Sequence, residues 1–221
     1  MITSGYPRSS ARKTEIVDVA NGVSCSDMAD FPAVLIGAVG ANLDGTLVVC
    51  SGYESSIGYS DQCFRFINAA WEEFATMKEN RQFAAGVMHD DKLHVFSGRN
   101  SVSSYLYTSE TINLDGEVSN GPDLPTAVWG HAMTKINDTV SLLSGGYKGG
   151  YDTVQTWYYN HDTEAFTYGP DLLEGRRLHG SAIIVDKVTN AKIAVVTGGY
   201  ASGNLDSTEM LINGQWQTGT I

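Results

Sequence analysis

The chain has 221 residues, 24 of them Gly and 5 Pro, and carries 25 acidic against 14 basic residues for a net charge of −11. That charge repels a phosphate backbone, and no basic run is longer than two residues, as at Arg176-Arg177, so nucleic acid is not an expected partner. Apolar stretches such as Ile193 to Val196 are strand-sized, far below the roughly 20 residues that cross a bilayer, so no membrane insertion is expected either.

From the N-terminus, Met1 to Lys13 lacks the apolar core of a signal peptide. If Met1 is the true start the location leans to the cytoplasm; an extracellular one stays open if the start lies upstream. Within this stretch Met1 to Tyr6 (MITSGY) is a clipped apolar run ending in Gly5. Thr14 to Val19 reads as a strand, Ala20-Asn21-Gly22 as a turn and Cys25 as the centre of a further strand. The turn Asn42-Leu43-Asp44-Gly45 then leads into LVVCSGY (47 to 53), and Trp71 follows. Asp90-Asp91 leads into LHVFSGR (93 to 99), with the turn Leu114-Asp115-Gly116 before Val118. Asn137-Asp138 leads into SLLSGGY (141 to 147), with Asn160-His161-Asp162 before Phe166. Lys187 to Asn190 leads into AVVTGGY (194 to 200), with Asn213-Gly214 before Trp216. Asn, Asp and Gly tolerate the left-handed conformations of tight hairpins, so each polar turn joins two antiparallel strands.

These features are one repeat. The last Gly of each run falls at Gly5, Gly52, Gly98, Gly146 and Gly199, intervals of 47, 46, 48 and 53, and Cys25, Trp71, Val118, Phe166 and Trp216 keep the same register. The last unit shows four strand-like runs, at 178 to 185, 192 to 199, 207 to 212 and 214 to 217, separated by turn residues. That is an antiparallel four-stranded meander, and the chain is all-β. One such sheet cannot bury both faces, but neighbours stacked about an axis can. Trp71 and Trp216 are expected to fill the same packing niche, with the position of Trp216 near the chain end lowering its share.

Two Gly, a downstream aromatic, a linker and an Arg recur in order, as in Ser51-Gly52, Trp71, Met77 and Arg81, or Gly145-Gly146, Phe166, Gly169-Pro170 and Arg176. In this the chain resembles the kelch-repeat family along essentially its whole length, and its period is close to the kelch repeat of about 50. It departs where Gly-Gly is incomplete, where Cys25, Val118 and Phe166 replace Trp, and where Val128 replaces Arg. The resemblance implies a kelch-type β-propeller of four-stranded blades, with a partial blade at 1–31 and blades at 32–80, 81–127, 128–176 and 177–221. Rings of this kind hold about six or seven blades, so the chain reads as a fragment of a larger ring; a closed five-bladed ring is the alternative.

Candidate chemistry is sparse. The Gly pairs follow a strand and lead into another, without the Lys or helix of a phosphate loop, so they are structural. His131 and His179 occupy one repeat position on adjacent blades, where a copper-radical oxidase on this fold would need metal ligands; Ala84 at the equivalent position favours a structural role. His89, His94 and His161 are expected to be solvated or packed. The carboxylate pairs Glu72-Glu73 and Asp90-Asp91 read as surface, and the sequon at Asn137 sits on an accessible hairpin. Cys25, Cys50 and Cys63 form no C-x-x-C pair and cannot all pair, so they are expected as free thiols, with a Cys50 to Cys63 bridge as the alternative. No catalytic residue, metal or cofactor is expected.

Alternate connections of a meander share one edge. On one edge lie the loops Tyr53 to Ser60, Arg99 to Tyr107, Tyr147 to Asp152 and Tyr200 to Asp206, with the linkers Thr76 to Arg81, Gly121 to Trp129 and Gly169 to Arg177. Arg, Tyr and Trp concentrate there, the types enriched in binding hot spots, and Tyr53, Arg81, Arg99, Trp129, Tyr147, Arg177 and Tyr200 are the candidate contacts for another protein, with a structural role the alternative for Arg81 and Arg176 at the repeat's Arg position. A cationic, aromatic face on an acidic chain suits a partner segment of acidic or polar character. The expected role is a scaffold or substrate-recognition module. A sugar epimerase or copper-radical oxidase, and a cytoskeletal cross-linker, are the alternatives.

Overall fold

A computed structural model describes residues 2–3, 12, 14–15, 28–103 and 105–219. Gly5, the turn at Ala20-Asn21-Gly22 and Cys25 lie outside the described residues. Ile2–Thr3 (β1) pairs antiparallel with Thr14–Glu15 (β2), and every further element among the described residues is also a strand.

The first blade is formed by Val39–Leu43 (β3), Thr46–Cys50 (β4), Gln62–Ile67 (β7) and Ala70–Thr76 (β8), with the small hairpin Tyr53–Glu54 (β5) and Gly58–Tyr59 (β6) in its upper loop. Blade 2 is Ala85–His89 (β9), Lys92–Phe96 (β10), Ser109–Asn113 (β11) and Val118–Asn120 (β12). Blade 3 is Ala132–Lys135 (β13), Val140–Ser144 (β14), Thr156–Asn160 (β17) and Ala165–Tyr168 (β18), with a loop hairpin of Tyr147–Lys148 (β15) and Tyr151–Asp152 (β16). Blade 4 is Gly180–Val185 (β19), Lys192–Thr197 (β20), Thr208–Ile212 (β21) and Gln215–Gly219 (β22). Each blade is an antiparallel meander, and the first strands β3, β9, β13 and β19 touch in that order, which puts them innermost.

Second-strand side chains alternate between the two neighbours of a blade, because successive residues of a strand face opposite ways. Val48 and Cys50 of blade 1 meet Leu93 and Val95 of blade 2 in one buried cluster. Phe96 meets Leu143 and Tyr159 of blade 3, and Leu142 meets Ala194, Val196 and Trp216 of blade 4. The core is therefore a series of seams between sheets. Trp216 lies in the last of these and is buried, its Nε1 donating to the Pro170 carbonyl at 3.0 Å, whereas Trp71 is only partly buried beside Phe31. This reverses the order expected from distance to the chain end, since the seam and not the position along the chain sets burial.

Main-chain bonds repeat across each seam. Phe83 N–H donates to Gly37 C=O, Gly130 N–H to Phe83 C=O and Leu178 N–H to Gly130 C=O, at 2.9, 2.8 and 2.7 Å. Gly52, Gly98 and Gly146 donate to Arg81, Val128 and Arg176 of the next blade. At Gly146 a Cβ would stand 2.2 Å from the Val128 side chain, with φ at +105°, so this second Gly is required by both space and backbone.

Cys50 and Cys63 are joined in a disulfide, which corrects the expectation of free thiols at these two positions. They are directly opposed on β4 and β7 with Cα atoms 4.0 Å apart, the close approach of a non-hydrogen-bonded antiparallel pair.

Candidate functional site

Each blade ends its second strand with a left-handed pair of residues, and the residue after it bridges back to the incoming linker. The four bridges are Ile36 with Tyr53, Gln82 with Arg99, Trp129 with Tyr147 and Arg177 with Tyr200. The bridges thereby set two residues per blade at equivalent places on one edge.

On blades 2 to 4 these side chains, except that of the buried Gln82, join with Phe83 in one stack. Phe83 lies against Trp129 with ring centroids 5.4 Å apart, Trp129 against Tyr147 at 5.1 Å, and Tyr105 stacks on Tyr147 at 6.4 Å. The Arg99 guanidinium sits 5.1 Å from the Trp129 ring and 5.7 Å from Phe83. Arg177 sits 5.3 Å from Trp129, 4.5 Å from Tyr147 and 4.7 Å from Tyr200. Cations over ring faces are attracted by the ring quadrupole, and the rings restrict the rotamers of both Arg side chains. Arg177 Nη1 also donates to Asp152 Oδ1 at 2.6 Å, while the Nε of Arg99 is buried without an acceptor among the described residues. An open cavity of about 520 Å³ lies over this stack, lined by Phe83, Arg99, Trp129, Arg177, Tyr200 and Asn204, among others.

Five of the seven residues expected at this face, Arg99, Trp129, Tyr147, Arg177 and Tyr200, are brought together. Tyr53 occupies the equivalent position on blade 1, where its ring packs edge-on against Tyr59 at 5.1 Å and does not line the cavity. Arg81 is not at the surface. It is fully buried, with Nη2 on Glu110 Oε1 at 2.6 Å and Nη1 on the carbonyls of Ser97 and Thr108, so its place among the contact residues is corrected to a structural one. Alternation along the linker explains the difference: Arg176, the counterpart of Arg81, points inward to Glu209 at 2.8 Å, and Arg177 beside it points out.

Phe83 and Leu178 were not anticipated. Both stand where blades 1 and 3 have Gly37 and Gly130, and all four have φ between +55° and +69°. A bulky residue in this region is strained, and such outliers collect at functional positions. Here each left-handed residue turns its side chain into the cavity. The signal available in sequence was the loss of Gly from a repeat position.

His131 and His179 lie just behind the stack, at the start of the first strands. Burial, then the neighbouring imidazole of His179, lowers His131 to about 3, and burial followed by the Arg176 charge lowers His179 to about 4. His179 Nε2 is 3.0 Å from Ser144 Oγ. Both are neutral, packed side chains at ordinary pH. Among the described residues no group of three His, Cys, Asp or Glu is placed to hold a metal ion.

No protein-family model matches the chain. It is 30% identical over 146 residues to Kelch-like protein 26 of Danio rerio, an alignment covering 62% of this chain and 24% of that protein. The chain thus spans about a quarter of the length of this relative. Among solved structures it superposes on YjhT with a TM-score of 0.77 at 14% identity, covering 91% of this chain and 75% of that one.

Proposed function

We propose that this chain, a kelch-type β-propeller of four-stranded antiparallel blades, is a protein-binding module that serves as a scaffold or substrate-recognition domain through the edge carrying Arg99, Trp129, Tyr147, Arg177 and Tyr200. The observation that carries this reading is the stack itself, in which Arg and aromatic side chains from three successive blades are interleaved beside an open cavity. Trp, Tyr and Arg dominate binding hot spots, and here they are ordered before any partner arrives, which lowers the entropy lost on association. The scaffold is rigid because every linker that feeds the edge is hydrogen-bonded to the preceding blade.

The test is capture of partners on the immobilised chain, comparing Arg99→Ala, Arg177→Ala and Tyr147→Ala with Asp90→Ala and Asp138→Ala in the hairpin turns of the opposite edge. Loss of capture confined to the first three is expected. Equal loss from the Asp variants would remove the face from consideration, and oxidase or epimerase turnover that disappears with His131→Ala or His179→Ala would replace binding by catalysis.

A further inference from the structure

We propose that the mouth of the propeller reads one carboxylate, an Asp or Glu side chain on an exposed segment of the partner protein, taken by Arg99 against the Trp129 ring, and that Asp152 limits the site to a single negative charge. This rests on the reading of the edge as a protein-binding surface.

The two guanidiniums at the cavity flank the same indole, at 5.1 and 5.3 Å, but are not equivalent. Arg177 is already neutralised: its Nη1 bonds Asp152 Oδ1 at 2.6 Å, both side chains are largely buried, and three rings surround it. Arg99 has only ring faces for company, those of Phe83 and Trp129. No acceptor among the described residues reaches its side chain, and its Nε is buried. An Arg stays charged at any physiological pH, and Arg99 lines the cavity, so an incoming oxygen there supplies an acceptor that no described residue provides. The planar fork of N–H groups fits a carboxylate, and the Phe83 and Trp129 faces hold that fork in place.

Charge then limits the ligand. Arg99, Arg177 and Asp152 together sum to one positive charge, which one carboxylate cancels. A phosphate monoester brings about −1.5 to −2, and its second charge would meet Asp152, with no cation other than Arg99 and Arg177 among the described residues that line the cavity. The chain as a whole, at −11, repels a strongly acidic segment as well. The matching segment has one carboxylate among neutral residues, with an apolar or aromatic neighbour to lie on the exposed Tyr200 ring.

Random short peptides displayed on phage and selected on the immobilised full chain test this. Enrichment of peptides sharing one Asp or Glu beside an apolar residue is expected. The best peptide is then made in three forms, with Glu, Gln or phosphoserine at the shared position, and titrated against the parent, Arg99→Gln and Asp152→Asn. On the parent, Gln in place of Glu weakens binding by about tenfold or more, and on Arg99→Gln the two forms bind alike. Phosphoserine binds the parent more weakly than Glu, and the gap narrows in Asp152→Asn. Enriched peptides that lack a shared carboxylate yet still need Trp129 would overturn the carboxylate and leave the binding face intact. So would an equal Glu to Gln loss on parent and Arg99→Gln. A phosphoserine form that binds the parent more tightly than Glu would overturn the single-charge limit. Selection of no peptide that depends on Trp129 would overturn both the inference and the reading beneath it.

Discussion

At the residue scale the histidines carry a pH dependence. His89 and His161 stack with ring centroids 4.1 Å apart, and His94 meets His161 edge-on at 5.4 Å, closing the lower part of the seam between blades 2 and 3. Burial, then the adjoining imidazoles, lowers both His94 and His161 to about 4, with Lys92 and Lys135 acting in the same direction and Asp90 against it. With His131 and His179, four imidazoles have folded values well below their ordinary 6.5. In the unfolded chain each takes up a proton near that value, so below it the unfolded state binds more protons than the folded one. Stability contributed by the neutral rings is therefore fully present above about pH 6.5 and is lost as pH falls toward 4. Thermal melts should be flat from pH 7 to 8 and drop steadily between 6.5 and 4, with His161→Phe reducing the slope. A midpoint unchanged across that window would contradict the account.

At the scale of the linker and third strand, the same position is solved in two ways. In blades 2 and 4 a buried Arg meets a buried Glu, Arg81 with Glu110 and Arg176 with Glu209. Each Glu also accepts two linker N–H groups, from Lys78 and Glu79 or from Leu173 and Glu174. Blades 1 and 3 carry Leu35 with Phe64 and Val128 with Trp157 at these repeat positions. Removing one partner of a buried ion pair leaves an uncompensated charge and costs about 3 to 5 kcal/mol, while a well-packed apolar pair of similar volume is often neutral. Glu209→Phe alone should thus be strongly destabilising in urea melts. Arg176→Leu combined with Glu209→Phe, the residues of blade 1, should recover about 1 to 3 kcal/mol relative to the sum of the single changes. Strict additivity would mean that the linker bonds of Glu209, and not its charge, dominate. Strand positions were largely legible in the sequence, as blade 4 shows: runs expected at 178 to 185 and 207 to 212 form strands at 180 to 185 and 208 to 212, because turn residues and alternation are local signals. The split between Arg176 at the repeat's Arg position and Arg177 at the edge was legible, but the burial of Arg81 was not, because it depends on Glu110, 29 residues away. The histidine cluster and the disulfide likewise depend on register between strands, and the left-handed backbone of Phe83 shows only against Gly37 and Gly130 in its neighbours.

For the whole molecule, each blade packs against its neighbours in the row among the described residues, so stability is a sum of blade and seam terms and opens unevenly. Blade 2 has a seam on each side, with blade 1 through Leu93 and Val95 and with blade 3 through Phe96, and blade 3 lies between blades 2 and 4. Blade 4 is covered through Ala194, Val196 and Trp216 on the side of blade 3, but Ile184 and Val185 of its inner strand are 43% and 51% exposed. Thr197 is exposed where its repeat counterparts Cys50, Phe96 and Ser144 are buried. Losing the pairing of β19 with β20 therefore uncovers less apolar surface than losing that of β9 with β10, and the free energy of local opening falls accordingly, by about 25 cal/mol for each Å² not buried. Hydrogen exchange of the chain should find the amides bonded between β9 and β10 and between β13 and β14 slowest, and those between β19 and β20 faster by an order of magnitude or more. The proposed binding edge spans this gradient, because Trp129 and Tyr147 belong to blade 3 while Arg177 and Tyr200 belong to blade 4. A ligand held by Arg99 and Trp129 alone would leave the β19 amides unchanged, whereas one that also engages Arg177 and Tyr200 must slow them, since it binds only where blade 4 is docked. Protection of β19 equal to that of β9 in the free chain would show that the blades open as one unit and would rule out the additive description.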